Sequence, residues 1–147
     1  MLALTLFTIA AIIIALGISF VYGQLTKRLS YRIVRNEYDR QALQKEQSRF
    51  FIHIGMLEVI PILFIILGFA NSANEMLSVV NKSIAIIIIV IVLIISFIQI
   101  FITTRELKNT ASNLEQSDRN SLLALPFIGY SLLMAVPIIA SIGIILI

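Results

Sequence analysis

Four apolar runs, each close to the length needed to cross a bilayer, govern what this chain can fold into. The first spans Leu2 to Gly23 and the second Phe50 to Ala70. The third lies between Lys82 and Arg105, and the fourth runs from Leu122 to Ile147. A helix needs about 20 apolar residues to cross about 30 Å of hydrocarbon. The chain has 147 residues, 59% of them hydrophobic and 13% charged, with a mean hydropathy of +1.01. A soluble domain of that size has no interior able to hide so much apolar surface. Barrel strands would show about 10-residue segments of alternating polarity, which these runs lack. The first run has no basic segment before it and is too long for a signal peptide, so it reads as a span. Without cysteine, disulfides and thiolate metal sites are excluded. The expected fold is all-α and integral to a membrane, with four transmembrane helices.

The charges between the runs orient the chain. Residues 24–49 hold Lys27, Arg28, Arg32, Arg35, Arg40, Lys45 and Arg49, against Glu37, Asp39 and Glu46. Residues 71–82 hold one base, Lys82, and residues 104–121 hold Arg105, Lys108 and Arg119. The positive-inside rule places loops 24–49 and 104–121 in the cytoplasm and both termini outside. A plasma (inner) membrane is the expected location. A basic loop suits anionic lipid or an acidic partner. Nucleic acid is not expected, because no aromatic-basic surface accompanies the charge. Lys45 and Arg49 are placed to anchor the second helix at the headgroups.

The two halves align. A shift of 76 residues lays LEVIPILFIILG, from Leu57, on LMAVPIIASIGI, from Leu133, and Pro61 on Pro137 without a gap. Residues 1–71 then form a first helical hairpin and residues 77–147 a second. Glu58 falls on Met134, so only the first hairpin carries a carboxylate within its spans.

Glu58 is the residue that most demands an account. It sits in RFFIHIGMLEVIPILFIILGF, nine residues past Arg49, about 13 Å along a helix and near mid-membrane. An ionised carboxylate there is costly, so the group stays protonated or finds a partner. No helix core of this chain offers a base, so such a partner would come from another subunit. Pro61 cannot donate to the carbonyl of Leu57, which leaves a kink and a free carbonyl beside the acid. Gly55 lies one turn before Glu58 and makes room near it. An acid that is neutral in lipid and ionised beside a cation is a proton carrier; one that stays neutral is a hydrogen-bonding group between helices. His53 points to a different helix face and reads as a packing or interfacial residue. In the first helix Ala11, Ala15, Ser19 and Gly23 recur every four residues, a small-residue stripe that lets backbones approach closely in lipid, whether between subunits or within one chain. The shifted positions in the third helix are Ile87, Ile91, Ile95 and Gln99.

The segment FFIHIGMLEVIP resembles the second helix of the ATP synthase c subunit, the proteolipid of rotary ATPases. The matching residues are Phe50, Phe51, Gly55, Glu58, Ile60 and Pro61. The two-hairpin layout is similar to V-type proteolipids, which are duplicated c subunits and more often keep the acid in the fourth helix. The family's cytoplasmic loop reads Arg-Gln-Pro or Arg-Asn-Pro. Here RNEYDRQA offers Arg35 and Asn36, or Arg40 and Gln41, with no proline after either. The resemblance implies a homo-oligomeric ring whose Glu58 carries protons, with other rotary ATPase subunits as partners. It implies a proton in preference to sodium, because Val59 follows the acid and the first helix has no mid-span Gln. A ring or bundle with the same hairpins and no rotary function, serving as scaffold or pore, is the alternative. A small proton-coupled transporter is the second. No catalytic set, phosphate loop or metal cluster is present in the sequence, so neither enzyme activity nor a cofactor is expected.

Overall fold

The computed structural model describes residues 1–72 and 78–146. The middle of the 71–82 connection, including the boundary at residue 77, and the terminal Ile147 lie outside the described residues. The described chain is helical, with α1 at Leu2–Val34, α2 at Arg40–Ser72, α3 at Val79–Thr110, α4 at Gln116–Leu123 and α5 at Leu125–Leu146. A short 3₁₀ turn, Ala111–Asn113, follows α3. Four helical stretches are long and apolar enough to cross a membrane, the last being α4 and α5 together.

Residues 24–49, expected as a loop, are mostly helix. Only residues 35–39 break it. The stretch from Gln24 to Val34 has neither Gly nor Pro, and Lys, Arg and Leu propagate a helix well. Polarity there marks where the helix leaves hydrocarbon, not where it ends. At 33 residues, α1 is about 50 Å long, roughly 20 Å more than the hydrocarbon thickness. The break itself is built by two caps. Asn36 takes a left-handed φ of 56°. Its N–H donates to Ile33 at 3.0 Å and that of Glu37 to Arg32 at 2.9 Å, the paired bonds that close a helix C-terminus. Asp39 then opens α2 by accepting from the Ala42 N–H at 2.6 Å. The second basic segment is likewise helical up to Thr110 and again from Gln116.

Both internal prolines are accommodated within helices. α2 runs through Pro61 and α5 through Pro137, and the two rings, paired by the 76-residue shift, are fully buried. Pro126 stands in the first turn of α5, where a missing N–H costs no helical bond.

α1 is the hub. It packs against α2, α3 and α5, while among the described residues α2 and α3 form no packed interface with each other. Association in lipid draws on close packing instead of water exclusion, and α1 supplies that through two aromatic keys. At one end Phe7 is fully buried. A Cβ on Gly68 of α2 would lie 2.9 Å from its ring, and one on Gly143 of α5 would lie 2.7 Å away. Phe69 meets the same ring edge-on at 4.9 Å. At the basic end Tyr22 fits against Gly129 of α5, where a Cβ would lie 3.1 Å away. Its ring meets Phe50 of α2 at 6.3 Å, and its hydroxyl shares a 2.8 Å hydrogen bond with Thr104 of α3. Between the keys, a Cβ on Gly17 would overlap the Leu57 side chain, so this glycine leaves the space that Leu57 of α2 fills. Phe97 of α3 stacks on Tyr130 of α5 at 4.8 Å and ties the second pair of spans together.

Candidate functional site

The small stripe is consumed inside the chain. Ala11, Ala15 and Ser19 are each 1% exposed, and Gly23 is buried too, with Thr103 3.9 Å from where a Cβ would sit. These residues face the chain's own helices and leave no uncovered stripe for a neighbouring copy. At the shifted positions, Ile87, Ile91, Ile95 and Gln99 are all exposed. The two halves therefore use corresponding helix faces in opposite ways, one as core and one as outer surface.

Glu58 is half-buried on α2, beside the buried row of Ile54, Pro61 and Ile65. Among the described residues it makes no hydrogen bond and no ion pair. Gly55 is exposed, and a Cβ there would meet nothing within 4 Å, so the space one turn from the acid is open to the surroundings. Met134, its counterpart under the shift, is also at the outer surface, 38% exposed. His53 donates to the carbonyl of Arg49 at 2.6 Å and takes no part in the surroundings of Glu58. The carboxyl thus stands mid-helix in α2, without a partner among the described residues.

Three of the four residues matched to the proteolipid loop do local work. Asn36 supplies the left-handed turn residue. Arg35 stacks over the Tyr31 ring at 4.3 Å. Arg40 donates to Ser117 at 2.8 Å and stands 3.9 Å from Asp118, which joins the turn to α4. Gln41 is exposed. Tyr38 packs beside the same junction. Its phenol is pushed up to about 12, by burial first and by the Asp118 carboxylate second, with Arg40 opposing.

A second acid, not singled out in the sequence, is far more enclosed. Glu46 on α2 is 2% exposed. Arg32 on α1 donates to its Oε1 through two nitrogens, at 3.0 and 3.2 Å. Arg49 stands 3.8 Å from the same oxygen, and Arg28 stands 3.7 Å from Oε2. Oε2 is buried with no hydrogen-bond partner. The signal available beforehand was spacing: Arg28 and Arg32 share one face of α1, and Glu46 and Arg49 share one face of α2.

No protein-family model, curated protein or solved structure matches this chain.

Proposed function

We propose that this chain is a proteolipid-like membrane subunit in which Glu58 carries protons. The supporting observation is the placement of that carboxyl: mid-span, half-buried, beside the open surface at Gly55, and without a partner among the described residues. Ionisation in such a place requires a cation supplied from outside the chain, and protonation is the other stable condition. Alternation between the two is proton transfer. A homo-oligomeric ring would supply the outer wall of this site, and lipid would supply it between encounters with a partner. A non-conducting scaffold is the second reading. It is favoured by the closure of α1 on three sides by its own chain, which removes the need for a neighbour there. A small proton-coupled transporter would use the same acid.

The test is proton flux into vesicles containing the purified protein, driven by an imposed potential and read with an enclosed pH-sensitive dye. Glu58→Gln, which keeps the size and polarity of the neutral acid, should abolish flux and labelling by a hydrophobic carbodiimide. Met134→Leu should leave both unchanged. Flux that persists in Glu58→Gln would make the acid structural and leave the scaffold reading standing.

The proposed orientation puts the basic end in the cytoplasm. Cysteines at Ser72 and Ser112 test it directly. An impermeant thiol reagent added outside should label the first and spare the second, and the reverse pattern would invert the topology.

A further inference from the structure

The basic end holds a cleft that the proton-carrying reading does not use. It has a volume of about 460 Å³ and is lined by Lys27, Arg28, Tyr31, Arg32, Glu37, Glu46 and Arg49. Four bases against two acids leave it an excess of two positive charges. Its donors are largely unspent. Arg32 gives two N–H groups to Glu46. Arg28 and Arg49 stand 3.7 and 3.8 Å from that carboxylate, too far for hydrogen bonds. They are 44% and 51% exposed. Lys27 is exposed and has no partner among the described residues. Glu46 lies beneath them at 2% exposure, so it fixes the guanidinium groups from below without presenting its own charge at the opening.

Depth selects the ligand. Lys27 and Arg28 lie about 6 to 8 Å beyond Gly23 along α1, and Arg49 immediately precedes the apolar run of α2. This is the level of the headgroups, which extend about 5 to 8 Å beyond the hydrocarbon on each side. Guanidinium groups match phosphate oxygens in geometry as well as charge. We propose that this cleft binds a phosphate group at the membrane surface, carried by an anionic phospholipid or free in solution. The exposed donors of Lys27, Arg28 and Arg49 make the contacts, and Glu46 with Arg32 acts as the fixed floor. A zwitterionic headgroup fits poorly, because its own cation would meet the same bases.

The experiment uses the full chain in a mild non-ionic detergent with short-chain phosphatidylglycerol as probe, bound lipid being counted by native mass spectrometry. Phosphatidylglycerol should be retained in preference to short-chain phosphatidylcholine, and increasingly less as salt rises. Each removed base should weaken retention about fivefold. Lys27→Gln with Arg28→Gln should therefore weaken it about twentyfold or more, with helicity by circular dichroism unchanged. Arg105→Gln with Lys108→Gln removes the same charge outside the cleft and should change little. Should the double cleft variant misfold, Lys27→Gln alone carries the test, with the fivefold loss expected. Displacement of the lipid by millimolar inorganic phosphate would identify free phosphate as an occupant of the same site. Failure to displace would assign the site to lipid. Equal retention of the two lipids, or equal loss from the cleft and control pairs, would overturn the proposal.

Discussion

Gly143→Leu should dismantle the packing around α1 and cost more stability than any substitution on the outer faces. Even a Cβ at this position would come within 2.7 Å of the Phe7 ring. The ring has nowhere to retreat, since Gly68 approaches it from α2 and Phe69 closes another side. Overpacking of this kind costs about 1–3 kcal/mol per small insertion, and an isobutyl group exceeds that. The expected result is a large drop in the temperature at which helicity and a monodisperse elution peak are lost in mild detergent. Gly55→Ala is the control. Nothing lies within 4 Å of a Cβ there, so the change should be neutral, or stabilising by up to about 1 kcal/mol through helix propensity. Phe7→Leu combined with Gly143→Ala should recover part of what each loses alone, because the two sites share one volume. Independent, additive losses would mean that the contact does not limit stability.

Glu46→Ala should produce the second largest effect, confined to the basic end. It deletes the carboxylate that Arg28, Arg32 and Arg49 share among the described residues and leaves Arg32, 28% exposed, without the acceptor of its two N–H groups. Removing one partner of a fully buried ion pair costs about 3–5 kcal/mol. The arginines reach water, so a loss of about 2 kcal/mol is expected here. Limited proteolysis after residues 28–40 should accelerate well before the spans lose helicity. Arg49→Gln, half-exposed and 3.8 Å away, should change the same rate little. Equal acceleration by both substitutions would remove Glu46 from its role as anchor.

The legible and illegible parts of this fold divide along a physical line. The four spans follow from length and apolarity, which the bilayer requires of any crossing helix. Burial of Ala11, Ala15, Ser19 and Gly23 follows from their size. Which helix they would face did not follow, because a stripe of small residues specifies closeness and not a partner. The central position of α1 was hidden for a related reason. In a helix apolar on every side, polarity no longer separates core from surface, so Phe7 and Phe20 look alike in sequence although one is fully buried and the other 61% exposed. Glu46 was hidden by its neighbours. Seven bases between residues 24 and 49 read as a solvated loop, and only the antiparallel register of α1 and α2 brings Arg28 and Arg32 over that acid, beside its own i+3 neighbour Arg49. Glu58 was conspicuous because it stood alone.

The packing order has a consequence for how the chain is made. α1 precedes in synthesis the helices that cover it, and α5, which receives both aromatic keys, is made after α2 and α3. During translation the Ala11–Gly23 face must therefore wait in lipid, with α2 arriving early along one side and the glycine seats for Phe7 and Tyr22 on α5 arriving only after α3. A chain stalled after α2 would hold an unfinished, adhesive surface within the membrane. The insertion of α5 is thus the step that commits α1 to a single arrangement.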